Sequence, residues 1–119
     1  MTAPKLTVAR QGQTAVVTFN RPEARNAFNL PMWRELRDVM NTVSADDDLR
    51  CVVLRGAGTT AFSAGADIKA FKEERGTEER EAEYAHVLDE SMQSIRLCRH
   101  PVVAMIMGYD GGLSTIPAC

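Results

Sequence analysis

At 119 residues the chain is long enough for a single domain with one modest core, in which roughly two thirds of the unfolded surface is buried on folding. Its 14 basic and 16 acidic residues leave a formal charge of −2, which gives no basis for a nucleic-acid or anionic-membrane surface. No apolar run approaches the roughly 18 residues of a membrane span, and Met1-Thr2-Ala3-Pro4-Lys5 lacks the charged-then-apolar order of a signal peptide, so a cytoplasmic location is expected.

Leu6-Thr7-Val8-Ala9-Arg10 and Ala15-Val16-Val17-Thr18-Phe19 flank Gln11-Gly12-Gln13-Thr14, which predicts two antiparallel strands joined by a short turn. Asn29 then precedes Leu30-Pro31, and Met32, Trp33, Leu36, Val39, Met40 and Val43 recur at helical spacing. An amphipathic helix with an Asn cap is expected to about Ser44, ended by the solvated turn Asp46-Asp47-Asp48. Cys51 to Arg55 is a strand candidate. From Thr77 to about Arg99 a second long helix is expected, with Tyr84, Leu88, Ser91, Met92 and Ile95 on one face and the charged residues elsewhere. Lys72-Glu73-Glu74-Arg75-Gly76 before it is polar, and Pro101 starts Val102 to Met107, a buried-strand candidate.

Cys51, Cys98 and Cys119 lie far apart, without a C-x-x-C pair or a histidine at ligand spacing. No metal site is expected, and Cys51 and Cys98 read as small hydrophobes in or near the core. His86, in the charged helix, and His100, just before Pro101, have no nucleophile beside them in sequence, so each reads as structural or surface.

The most informative segment is Ala61-Phe62-Ser63-Ala64-Gly65-Ala66-Asp67-Ile68-Lys69, which follows the strand and its exit Arg55-Gly56-Ala57-Gly58. Ala64, Gly65 and Ala66 have no bulk to shield their backbone, and Asp67 opens a new helical turn. Unpaired N–H groups at a helix start would suit a developing negative oxygen. The alternative is an ordinary strand-to-helix turn in which Asp67 is only a cap.

With Asn20-Arg21-Pro22-Glu23-Ala24-Arg25-Asn26-Ala27 upstream and Pro101-Val102-Val103-Ala104 and Gly108 downstream, this segment resembles the crotonase superfamily of enoyl-CoA hydratases and isomerases. The blocks stand in the family's order and near its spacing. The resemblance implies an α/β fold, the crotonase-like ββα spiral, incomplete at the C-terminus, with residues 1–119 as the N-terminal part of such a domain. It implies an acyl-CoA thioester as small-molecule substrate, with coenzyme A carried by the substrate and no separate cofactor. The family assembles as trimers or hexamers. A homo-oligomer, or a complementary C-terminal polypeptide, is therefore expected as partner, with neither nucleic acid nor membrane.

The same resemblance places two backbone donors for an enolate oxygen at Ala66 and Gly111, with Gly112 as the alternative for the second. It sets Ala64, Ala66 and Ile68 against coenzyme A, with Asp67 organising the loop and Arg25 and Ala27 on the other side. Arg25 would meet a phosphate, or else is a solvated loop charge. Gly108-Tyr109-Asp110-Gly111-Gly112-Leu113-Ser114 departs from the family. The segment is shorter, and Ser114 stands where a glutamate is expected. A hydroxyl does not replace a carboxylate as general base without its own activating partner. Asp110 is a candidate substitute or a solvated turn residue. The default reaction is hydration of a 2-enoyl-CoA; the alternative is a non-catalytic acyl-CoA-binding or interaction module.

Overall fold

Strand β2 (Thr14–Phe19) alternates buried and half-exposed residues, and its neighbours on both sides pair with it in full register. The structure is a computed structural model, and it describes residues 5–106. Strand β1 (Leu6–Gln11) pairs antiparallel to β2, from Leu6 opposite Phe19 to Gln11 opposite Thr14. The loop between them is Gly12-Gln13, and Gly12 has φ +62°, as expected of a hairpin turn with glycine first.

Strand β3 (Cys51–Gly56) lies parallel to β2, and β4 (Val102–Met105) lies parallel to β3, giving the order β1-β2-β3-β4. Parallel neighbours need long crossovers. Helix α1 (Leu30–Ala45) supplies the first, and α2 (Ile68–Glu74) with α3 (Glu78–Arg96) supplies the second. One sheet face, with Ala15, Val17, Phe19, Val52 and Leu54, is buried together with Leu36, Met40 and Val43 of α1. Fully burying a side chain of this size contributes about 1.5–3 kcal/mol. Register puts Val16, Val53, Val103 and Met105 on the opposite face.

Each long helix starts as its sequence dictates. The Asn29 side chain accepts from Met32 N–H at 3.1 Å, and Thr77 Oγ1 accepts from Arg80 N–H at 3.1 Å. Helix α3 ends at Arg96, short of the expected Arg99. Arg99 N–H donates instead to Ser44 Oγ, and His100 precedes Pro101, a position that disfavours helical backbone. Its buried face also includes Val87 and Ser94, with Leu88 and Met92 at the margin.

Two other expectations shift. Lys72, Glu73 and Glu74 belong to α2, where Glu74 Oε2 accepts from Leu30 N–H at 2.9 Å and sets a carboxylate at the positive end of α1. β4 is not a buried strand. It is the last strand among the described residues, with Val103 39% and Met105 41% exposed. Cys51 and Cys98 are free, half-buried thiols.

Gly56, the last residue of β3, has no room for a side chain: a Cβ there would sit 2.2 Å from Phe62 O, 2.5 Å from Ala61 O and 2.6 Å from Asn26 Nδ2. Gly56→Ala is expected to lower stability by about 2–4 kcal/mol in urea unfolding. Gly12→Ala meets open space and strains only the turn, so its cost should stay near 1 kcal/mol.

Candidate functional site

After β2 the chain forms a short 3₁₀ turn, Pro22–Ala24, and then takes two consecutive left-handed residues, Arg25 at φ +53° and Asn26 at φ +57°. Such backbone costs about 1 kcal/mol or more per residue and persists only where the surroundings over-determine it. Asn26 supplies that determination. It is 1% exposed; its N–H donates to Arg21 O at 2.7 Å, and its side-chain oxygen accepts from Arg21 N–H at 2.9 Å. Its Nδ2 donates to Ala57 O and Ala61 O, each at 3.0 Å. The first turn is thereby tied to the exit of β3.

From there two segments run side by side. Ser63 Oγ–H donates to Asn26 O at 2.6 Å and accepts from Gly65 N–H at 3.1 Å. Ala64 N–H donates to Arg25 O at 2.9 Å, Phe28 N–H to Gly65 O at 2.7 Å, and Asp67 N–H to Phe28 O at 2.8 Å. Phe28 and Phe62, one from each segment, pack edge-on against Phe19 with ring centres 4.8 and 5.2 Å away. The clasp is thus anchored in the core beneath it.

Phe28 and Ala66 form a parallel bridge. In this pairing the bonds from Phe28 go to the two neighbours of Ala66, so Ala66's own N–H and C=O point away from the partner segment. Ala66 is exposed, and its N–H has no partner among the described residues. Ala64, half-buried, likewise keeps a carbonyl without a donor among them.

At the helix start the structure shows the capping role that the sequence left open for Asp67. α2 has only seven residues, and Asp67 caps it, Oδ1 accepting from Ala70 N–H at 3.1 Å. Asp67 Oδ2 accepts from Arg21 Nη2 at 3.2 Å. The Ala70 amide first, and then Arg21 against the opposing effect of burial, hold the Asp67 carboxyl below its ordinary range.

The clasp brings Arg25, Ala27, Ala64, Ala66 and Asp67 together, with Ile68 next in line as the first residue of α2. Ala27 is buried, its N–H donating to Ala24 O and its carbonyl accepting from Arg21 Nη1 at 2.8 Å. Arg25 is exposed, and no carboxylate pairs with it among the described residues. Gly111, Gly112, Asp110 and Ser114 lie outside the described residues. His86 pairs with Glu90 at 3.3 Å, and His100 Nε2 lies 2.9 Å from Asp46 O; neither touches the clasp. Arg21, Asn26 and Ser63 carry the geometry but were not singled out in the sequence. Asn26 tolerates left-handed backbone, which is a local signal, whereas its bond to Ser63 spans 37 positions and leaves none.

The sequence model for the enoyl-CoA hydratase/isomerase family matches residues 9–115. The chain belongs to this family. It is 34% identical over 112 residues to the short-chain-enoyl-CoA hydratase of Clostridium acetobutylicum, covering 92% of this chain and 42% of that protein. To the mitochondrial Delta(3,5)-Delta(2,4)-dienoyl-CoA isomerase of Mus musculus it is 38% identical over 114 residues, covering 87% and 35%. A crystal structure of an enoyl-CoA hydratase/carnithine racemase from Magnetospirillum magneticum superposes with a TM-score of 0.87 at 42% identity, over 97% of this chain and 44% of that one. The fold is therefore the crotonase fold, and the chain spans less than half the length of these enoyl-CoA hydratase/isomerase family members.

Asn26→Ala is expected to cost about 3–4 kcal/mol in urea unfolding, because it leaves Arg21 N–H and two carbonyls without their partner. Asn26→Asp should cost as much, since it turns the donor facing Ala57 O and Ala61 O into an acceptor. The lowered Asp67 pKa contributes stability that is full above the unfolded value of about 3.9 and is lost as pH falls through the lower folded value. Asp67→Asn should accordingly weaken the dependence of the unfolding midpoint on pH below about 4.

Proposed function

We propose that the clasp binds an acyl-CoA thioester and that Ala66 N–H donates to the thioester oxygen, stabilising the enolate formed when water adds to the β-carbon of a 2-enoyl thioester or when the α-carbon loses a proton, and which is discharged when the α-carbon is protonated. The observation that carries this reading is the Ala66 amide, which belongs to an exposed residue, bonds no described residue and is directed away from the segment that holds its neighbours. Deleting one donor of this kind costs about 10²–10³ in rate in comparable sites. Gly111 is the proposed second donor. Arg25, whose guanidinium offers several donors in a fixed fork, would take a phosphate of coenzyme A, and the Ala64, Ala66 and Ile68 backbone would face the rest of it.

The default reaction is hydration of a 2-enoyl-CoA, in keeping with the hydratase among the relatives. Asp67 is a poor choice for its general base, because both carboxylate oxygens accept hydrogen bonds and its pKa is lowered. The carboxylate would then be another than Asp67, from this chain or from a neighbouring one. Assembly into a trimer or hexamer, in the cytoplasm, belongs to the same proposal, and the exposed Val103, Met105 and Ile106 favour association.

Crotonyl-CoA labelled with ¹³C at the thioester carbonyl tests the donor without requiring turnover. The carbonyl stretch should move to lower frequency on binding, and Ala66→Pro, which removes an N–H that bonds no described residue and also fixes the backbone φ there, should abolish the move. Binding by the parent chain with no shift in the stretch would refute the reading.

A further inference from the structure

The clasp is closed at one end by Asn26 and Ser63 and at the other by a single side chain. Arg21 Nη1 donates to Ala27 O at 2.8 Å in the first segment, and Nη2 donates to Asp67 Oδ2 at 3.2 Å in the second. The Arg21 backbone meanwhile exchanges hydrogen bonds with Asn26, so the base of the side chain is fixed by the same residue that fixes the turn. The Arg21 side chain is 15% exposed and Asp67's is 21%, so solvent only partly screens the pair. Ala66 lies between two held neighbours, Gly65 by Phe28 and Ser63, and Asp67 by Phe28 and Arg21.

We propose that Arg21 is a positioning residue, whose guanidinium bridges the two segments and fixes the direction of the Ala66 amide without touching the substrate. This rests on the acyl-thioester reading above, which it extends by one residue. Arginine is required because two donors on one planar fork must reach two acceptors on different segments, and a lysine ammonium is a single point of charge. Losing the bridge loosens the Asp67 end of the strip and, through it, the two Phe28 bonds that set the peptide groups on either side of Ala66, while the core beneath stays packed.

Amide hydrogen exchange followed by NMR in Arg21→Gln tests the bridge with no ligand present. Exchange at Asp67 and Phe28, the amides that zip the strip, should quicken about tenfold. Exchange at Val53 and Leu54 in the β3 ladder should stay as in the parent chain. Arg21→Lys keeps the charge, should show a smaller acceleration, and carries the test if the glutamine variant does not fold. With ¹³C-labelled crotonyl-CoA, the carbonyl shift should shrink in Arg21→Gln while its dissociation constant changes less than threefold.

Unchanged exchange at Asp67 and Phe28 would overturn the proposal, as would a full carbonyl shift in the variant. A parent chain that binds crotonyl-CoA with no shift refutes the thioester reading instead, and the exchange data still decide whether Arg21 holds the strip.

Discussion

The geometry around the clasp depends on one buried carboxamide. Asn26 stands in left-handed backbone, exchanges hydrogen bonds with Arg21, and reaches two carbonyls beyond β3. Gly56 has to be glycine because that carboxamide and the Ala61 and Phe62 carbonyls occupy the space a side chain would take. A buried amide in this position is stable only when every donor and acceptor is matched, and a half-matched one is worse than an apolar residue. The requirement ties the exit of β2, the exit of β3 and the small-residue strip into one unit.

On the proposed function, that unit separates holding from reacting. Ser63, Phe28 and Asp67 hold the strip through their own hydrogen bonds, and the three aromatic rings beneath lock it to the sheet. Ala66 is left with an N–H and a carbonyl that take no part in the holding, although the Gly65 carbonyl and the Asp67 amide in the same two peptide groups do. A donor that needs no rearrangement when charge develops is the kind that contributes most to catalysis. Asp67, the carboxylate of the strip, is committed to capping α2 and to Arg21, so the proposed proton transfer would call for a carboxylate elsewhere.

Most of the fold was legible because its signals are local. Short β-branched, apolar runs marked β2 and β3, Asn29 and Thr77 marked the helix starts, and the small residues before Asp67 marked the strip. The end of α3 was set by Ser44, 55 positions from Arg99, and the open face of β4 by strand order, neither of which leaves a local pattern. The site divided in the same way. Resemblance pointed to Ala64, Ala66 and Asp67 as candidates, but the residues that orient them sit in the turn after β2 and meet them only through long-range bonds. The sequence left Asp67 open as loop organiser or cap, and the structure shows it capping α2 through Ala70 N–H.

A crystal structure of the chain with crotonyl-CoA is the most direct measurement of whether the clasp exists to present the Ala66 amide. The thioester oxygen is predicted within about 3 Å of Ala66 N, with the Asn26, Ser63 and Phe28 hydrogen bonds unchanged. A thioester bound elsewhere, or an Ala66 N–H turned inward onto a protein carbonyl, would contradict it.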